Sequence, residues 1–396
     1  MQFDNMKKID IPAAPMRILS LLNDAGYEAY LVGGCVRDAL RGDVPHDYDI
    51  TTNALPEQMQ SVFSELRTIE TGLHHGTLTV LLDGEPFEVT TYRVDGVYQD
   101  HRRPESVRFT SCLQEDLGRR DFTVNAMAYH PVLGFRDPFG GAEDLRRGVI
   151  RAVGEPHERF SEDALRILRA LRFSARFGFS IEEKTAAAAH DLKGTLTLIA
   201  AERVREELAG ILVAPDADRI LADHADILAT VIPEGSTVLP LSGLDPSDLV
   251  LRLAAYLHTV GSRAARAALW RLRNDRATCR AVEDILMLRE EGLPEEDEAI
   301  LRALRKYGRD GVARAMALAS AEGKDTSTAR ARLDGLLRDG ACYMISMLAV
   351  DGKDLAAIGI PCGREMGAAL ERLLDAVIRK ECPNEREALL AYAKGT

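Results

Sequence analysis

Leu31-Val-Gly-Gly-Cys-Val-Arg-Asp38, followed by Asp47-Tyr-Asp49, is the stretch on which the fold turns. Ala29–Val32 reads as a short apolar strand running into Gly33-Gly34, and Val36–Arg41 as a helical turn closed by Gly42. A glycine turn that opens a helix leaves backbone N–H groups free at the helix start. With the side chain of Arg37 beside them, they suit an anion, and phosphate fits that description. Asp47 and Asp49 stand two residues apart at the mouth of a β segment, so both project from one face. Two hard carboxylates in that position suit Mg²⁺ and repel each other without it. The alternative is a solvated turn carrying two acids.

Working outward, Tyr48–Thr51, Gly76–Leu82 and Phe87–Tyr92 have strand character, and Asp83-Gly84 is a hairpin signal between the last two. Glu88 lies on the third of these strands, with Phe87 and Val89 expected to point away from it. It is either a third metal ligand or an exposed strand glutamate. Residues 93–110, with Gly96 and Pro104 among mixed charges, read as a mobile loop. From Ser161 onward strand signals nearly vanish, and helices are expected over 163–177, 181–192, 201–213, 216–230, 246–259, 262–272, 276–291, 297–306, 309–321, 326–338, 352–358 and 364–380. The outline is an α/β head on a long all-helical body.

Length and charge set limits on this outline. At 396 residues the chain is too long for one compact core, and two to four domains are expected. The formal charge of −12 argues against a uniformly cationic nucleic-acid coat but leaves room for a local basic patch. The first 22 residues carry Asp4, Lys7, Lys8 and Asp10 where a signal peptide needs an apolar run, and no span is apolar enough for a membrane helix, so a cytoplasmic protein is expected. None of the six cysteines forms a C-x-x-C pair, which points to inert thiols.

Two later runs carry charge next to apolar residues. Arg119-Arg120-Asp121-Phe-Thr-Val-Asn125-Ala126 abuts a buried segment, with Asn125 reading as a brace for the loop. Glu162-Asp163-Ala-Leu-Arg166-Ile-Leu-Arg169-Ala-Leu-Arg172-Phe is expected to form a helix capped by Ser161. On that helix Asp163, Arg166 and Arg169 share one arc, and Ile167, Leu168 and Leu171 lie opposite.

Gly33-Gly34-x-x-Arg37-Asp38 followed by Asp47-x-Asp49 resembles the signature of the DNA polymerase beta-like nucleotidyltransferases. With the two later runs, the chain resembles the bacterial (class II) CCA-adding tRNA nucleotidyltransferase and poly(A) polymerase family across residues 31–210. The resemblance implies an α+β fold, with a nucleotidyltransferase head over 1–155 built on a mixed sheet. An all-α neck over 156–215 would select the nucleotide, and an RNA-binding helical body and tail would fill 216–396. It further implies Mg²⁺ as cofactor, CTP and ATP as substrates, and the 3′ end of tRNA as acceptor, with no membrane partner and no indication of oligomeric state. Asp47 and Asp49 would hold the metal, with Glu88 the candidate third ligand. Gly34, Arg37 and Arg120 would fix the triphosphate, and Asp121 would contact the ribose. Asp163 and Arg166 would select the base, and Arg169 and Arg172 would contact the nucleotide and its phosphates.

Donor and acceptor types supply a reason for the base choice. A carboxylate beside a guanidinium complements a base edge with an amino donor next to a ring-nitrogen acceptor, which cytosine and adenine share. Guanine and uracil present the reverse, and an opposed polar group costs about 1–3 kcal/mol. Other activities on the same residues are a poly(A) polymerase, a CC-only or A-only enzyme, and a catalytically inactive RNA-binding protein. A basic C-terminal extension typical of the poly(A) enzymes is not seen before Thr396, and the loop at 93–110 is not shortened as in the CC-only enzymes, so full CCA addition is the expectation. His224-Ala225-Asp226 lacks the adjacent His-Asp pair of a phosphohydrolase. Finally, residues 263–280 hold six arginines and one acid, Asp275, around Trp270, which is either a solvated face or a grip on RNA phosphates.

Overall fold

The computed structural model describes residues 9–96 and 107–395. The chain divides into two compact units, residues 1–233 and 234–396. The first opens with α1 (Ala13–Asp24), β1 (Ala29–Val32), α2 (Gly34–Arg41), β2 (Asp49–Thr52), α3 (Pro56–Val62), β3 (Arg67–Ile69), β4 (Thr77–Leu82) and β5 (Glu85–Thr91). It continues through β6 (Arg93–Asp95), β7 (Val107–Phe109), α4 (Leu113–Gly118), β8 (Ala128–His130), β9 (Gly134–Arg136), α5 (Gly141–Arg147) and β10 (Val149–Ile150).

Seven strands make one mixed sheet in the order β3-β4-β5-β2-β1-β8-β9. The β4–β5 hairpin closes as its sequence indicates. Leu82 pairs with Glu85, and Asp83 and Gly84 both take positive φ, 53° and 87°, as a type I′ turn requires. β2 and β5 run parallel, and the other strand pairs of this sheet are antiparallel. On one side of the sheet Ile18, Leu22, Met59 and Phe63 pack with Leu31, Ile50, Leu78 and Val89. Full burial of each such side chain contributes about 1.5–3 kcal/mol. Tyr30 and Val32 face a second cluster with Tyr92, Leu117 and Ala126. Cover on both faces explains why β1 is an unbroken apolar run rather than an alternating one.

The loop expected over 93–110 is only partly a loop. Arg93–Asp95 and Val107–Phe109 pair as a two-stranded antiparallel ribbon, and residues 97–106 of that expectation lie outside the described residues. Val94 is β-branched, and the alternating side chains at each end of the segment let backbone pairing continue past Tyr92.

The rest of this unit is helical: α6 (Pro156–Glu162), α7 (Leu165–Phe177), α8 (Glu183–Leu192), α9 (Ala201–Leu212), α10 (Ala217–Asp223) and α11 (Ala225–Val231). One short strand interrupts it, β11 (Ser180–Ile181), which pairs parallel with β10. The single helix expected from Ser161 is in fact two. Ser161 sits in the last turn of α6, and Asp163 is extended at φ −140°, ψ 101°. The carboxylate of Asp163 accepts from the backbone N–H of Leu165 at 3.1 Å, a local bond that competes with helix continuation. The helix expected over 216–230 likewise divides at His224.

The second unit comprises α12 (Leu249–Tyr256), α13 (Ser262–Arg271), α14 (Arg276–Glu291), α15 (Asp297–Ala321), α16 (Ser327–Arg338), α17 (Gly352–Ala357), α18 (Arg364–Ile378) and α19 (Arg386–Gly395). The two helices expected at 297–306 and 309–321 are the two arms of α15, which break at Gly308, where φ is 72° and ψ 171°. Leu355, Leu373 and Leu389 join α17, α18 and α19 in a small core. No helix among the described residues is long and apolar enough to cross a membrane.

Candidate active site

The acid pair and the glycine turn meet at one end of β1. Val32 pairs with Asp49 across the β1–β2 ladder, so Gly33 leaves the strand directly beside the aspartate. Gly33 takes φ 75°, and a Cβ there would lie 2.9 Å from Nη1 of Arg120 and 4.0 Å from Oδ2 of Asp49. Only glycine accepts both that backbone and that approach. Gly34 then starts α2.

Ile50 pairs with Val89 across the parallel β2–β5 ladder, so Asp49 and Glu88 stand one residue earlier on neighbouring strands and on the same side. Phe87 and Val89 are buried and Glu88 is exposed, as strand alternation predicts. Asp47, before the strand, is exposed. Asp49 still meets solvent, yet burial raises its carboxyl above the ordinary value; Arg120 opposes that rise, while Glu88 and Asp47 add to it. Like charges thus crowd the site, and a hard divalent cation would relieve them. Among the described residues no group of three or more His, Cys, Asp or Glu side chains is gathered closely enough to hold a metal ion; the acids whose charge bears on Asp49 are Asp47 and Glu88. The neighbouring Cys35 is no nucleophile, because burial pushes its thiol up to about 12.

The arginines divide into two kinds. Arg37 is turned into the protein: Nε donates to Asp38 at 2.8 Å, Nη1 donates to Asn125 Oδ1 at 2.5 Å, and the guanidinium lies 4.8 Å from the Phe177 ring centre. It is 5% exposed, so the phosphate contact expected of it is not offered in this geometry. Arg120 faces the glycine turn instead. Its Nε is buried without a hydrogen-bond partner among the described residues, and its Nη2 lies 3.7 Å from the fully buried Asp116.

Asp121 is the hub of a relay. Its Oδ1 accepts from the backbone of Phe122 at 2.8 Å and from Asn125 Nδ2 at 3.0 Å, and its Oδ2 accepts from Arg169 Nε at 2.8 Å, with Nη2 of the same guanidinium 2.7 Å away. Burial alone would raise this carboxyl, but Arg169 and the bonds from Asn125 and Arg169 outweigh it and hold the value low. Arg172 donates to the buried Glu207 at 2.5 Å, and Arg169 lies 3.9 Å from the same glutamate. The relay therefore runs from α2 through Asn125 and Asp121 to α7 and α9.

Asp163 and Arg166 do not pair with each other. Asp163 takes Arg203 at 2.8 and 3.3 Å, and Arg166 bonds Glu162 at 2.6 Å, the Arg159 carbonyl at 2.9 Å and the Arg119 carbonyl at 3.1 Å. The break at Asp163 causes this, since it removes the aspartate from the helical arc that would have set it beside Arg166.

Comparison with known proteins follows this geometry closely. Residues 29–151 match the model of the Poly A polymerase head domain, and residues 250–393 match that of tRNA nucleotidyltransferase domain 2. A CCA-adding enzyme of Geobacillus stearothermophilus is 38% identical over 398 residues, 95% of each chain. The chain belongs to the CCA-adding enzyme family. A CCA-adding enzyme of Leuconostoc mesenteroides is 50% identical over 204 residues, a match that spans 52% of this chain and about half of that relative. The crystal structure of the Bacillus stearothermophilus CCA-adding enzyme in complex with CTP superposes with a TM-score of 0.80 at 31% identity, covering 96% of both chains. The protein is thus a nucleotidyltransferase of that family, whose chemistry implies a divalent metal.

Set in this family, four residues outside the expected site hold its parts in place: Asp116, Glu162, Arg203 and Glu207. Glu162 was visible at i, i+4 from Arg166. Arg203 and Glu207 were not, because they come from α9, 35 to 40 residues from the groups they bind.

Proposed function

We propose that this chain adds C, C and A to the 3′ end of tRNA from CTP and ATP without a template, releasing pyrophosphate. The observation that carries the reading is the meeting of Asp47, Asp49 and Glu88 with the Gly33 turn and Arg120 at one end of the sheet. The full-length relatives named CCA-adding enzyme support it. We assign residues 1–155 to the catalytic head, 156–215 to the neck and 216–396 to a helical RNA-binding body and tail, and we place the enzyme in the cytoplasm.

Asp47 and Asp49, with Glu88 beside them, would hold Mg²⁺. When bound, the ion polarises the attacking 3′-hydroxyl and offsets charge on the α-phosphate oxygens. Arg120 and the N–H of Gly34 at the start of α2 bind the triphosphate, the Gly33 N–H being taken by the Met127 carbonyl, and Arg37 holds α2 in place beneath that turn. Arg172 and Arg169 set the nucleotide-facing side of α7 through Glu207 and Asp121. A carboxylate has about four acceptor sites. Three donors reach Asp163, which leaves one acceptor site on Oδ2 for the amino group of cytosine or adenine; Arg166, buried and bonded to Glu162 and to the Arg159 and Arg119 carbonyls, donates to the ring nitrogen when one of those bonds yields. Three hydrogen-bond donors reach Asp121, two on Oδ1 and one on Oδ2, which leaves an acceptor site on Oδ2, beside the Arg169 guanidinium, for the ribose hydroxyl.

The test is incubation with a tRNA lacking its last three nucleotides and each nucleoside triphosphate singly, then with CTP and ATP together. Stepwise addition ending at CCA supports the reading. A growing run of A would assign a poly(A) polymerase, and an unchanged tRNA an inactive RNA-binding relative.

A further inference from the structure

The second unit carries an aromatic and cationic cleft that the catalytic reading does not use. α13 and α14 pack against each other, and between them lies a cleft of about 500 Å³ walled by Arg266, Trp270, Arg276 and Arg280. Arg263, Arg266 and Trp270 recur at i, i+3 and i+7, one stripe of α13, and Arg276 and Arg280 recur at i, i+4 on α14. Trp270 is the chain's only tryptophan, and it is 52% exposed.

Two acids, Glu283 and Asp284, also line the cleft, and each faces an arginine of the wall. Arg266 meets Glu283 at 2.7 Å, and Arg280 lies 3.7 Å from Asp284. Among the described residues no ion pair engages Arg263 or Arg276, and both are exposed; Arg276 lines the cleft, while Arg263 stands one turn outside it, in an adjoining hollow shared with Glu283, Glu290 and Glu291. The cleft therefore keeps an excess of positive charge in a chain of net charge −12. An indole held open between guanidinium groups matches the chemistry of an unstacked base, whose face stacks on the ring while its flanking phosphates meet arginines. An acidic peptide matches the charge but not the ring.

We infer that this cleft binds an unpaired nucleotide of the RNA substrate, with Trp270 stacking on the base and Arg263 and Arg276 contacting its flanking phosphates. The inference rests on the proposed RNA substrate and adds a grip on it outside the active site.

Because no other tryptophan is present, tryptophan emission of the whole chain reports on this cleft alone. Titration with a tRNA transcript lacking its last three nucleotides should quench that emission, with the same Kd as filter retention. Arg263→Ala and Arg276→Ala should each raise that Kd about fivefold and lower its salt slope by about one. Trp270→Ala should raise it about tenfold, and Trp270→Phe less. kcat at saturating tRNA should stay unchanged in all four variants. Unchanged emission at saturating tRNA, while retention and nucleotide addition persist, overturns the cleft and leaves the proposed activity standing. An equal quench by polyglutamate of matched charge also overturns it, by reassigning the face to a protein partner. Failure of the wild-type chain to retain tRNA overturns both readings.

Discussion

Asp163 and Arg203 form a two-contact ion pair across 40 residues of sequence, Oδ2 to Nη2 at 2.8 Å and Oδ1 to Nη1 at 3.3 Å. Both side chains are partly exposed, so the pair adds little to stability. Its effect is orientation: Arg203 holds the carboxylate at the break between α6 and α7 with one acceptor site left open. Replacing Asp163 and Arg166 together with Ala should remove most discrimination of CTP and ATP against GTP and UTP, a loss of about one to two decades. Arg203→Ala should lose part of the same discrimination, about tenfold, with kcat for CTP nearly intact. Values of kcat/KM for the four nucleotides check both, and unchanged discrimination in the double variant would sink the base-reading role.

Asp49 faces two other acids, and a cation would relieve their repulsion. Asp49→Asn should reduce nucleotide addition at least a thousandfold, since a metal-held charge contributes several kcal/mol to such transition states. In thermal melts the wild type should gain stability on addition of Mg²⁺, and Asp49→Asn should not. An equal Mg²⁺ response in both proteins would refute the assignment.

Gly33 has φ 75° and lies where any Cβ would press on Arg120 at 2.9 Å. Gly33→Ala should cost about 1–2 kcal/mol in stability from the left-handed backbone. It should also raise the KM for CTP about tenfold or more by displacing Arg120. Urea unfolding and steady-state kinetics separate the two effects. A variant that loses stability with an unaltered KM would remove Arg120 from the triphosphate site.

Asp121 is held below the ordinary carboxylate value because Arg169 and Asn125 outweigh its burial. A lowered acid contributes stability above its unfolded value, and that stability is lost as pH falls through the folded value. Asp121→Asn should therefore be about 2 kcal/mol less stable than wild type at pH 7, by analogy with buried pairs that lose one partner. In denaturation across pH, the gap should shrink as pH falls below the ordinary carboxylate value of about 3.9 and close once the folded carboxylate protonates, at a pH below that value. A gap independent of pH would mean that the charge on Asp121 does not contribute.

What could be read from sequence was local in origin. The Gly33-Gly34 turn and the Asp83-Gly84 hairpin each depend on residues within a few positions of one another, and each is found where its residue types require. The apolar face of α7, with Ile167, Leu168 and Leu171 all buried, was legible for the same reason. Periodicity did not reveal the break at Asp163, because an aspartate is tolerated in a helix until its carboxylate finds a nearby backbone N–H and a distant cation.

The amino-acid order by itself determined the head's strands, the helical remainder, the family signature and the set of charged residues proposed for the nucleotide site. The tertiary structure alone decided which charge each of them faces. Arg37 is equally plausible as a phosphate ligand or a buried brace until Asn125 and the Phe177 ring close on it, and Asp163 has no partner until α9 brings Arg203. The physical reason is that ion pairing and burial depend on distance in space, and residues 35 to 90 positions apart leave no periodic trace of their meeting.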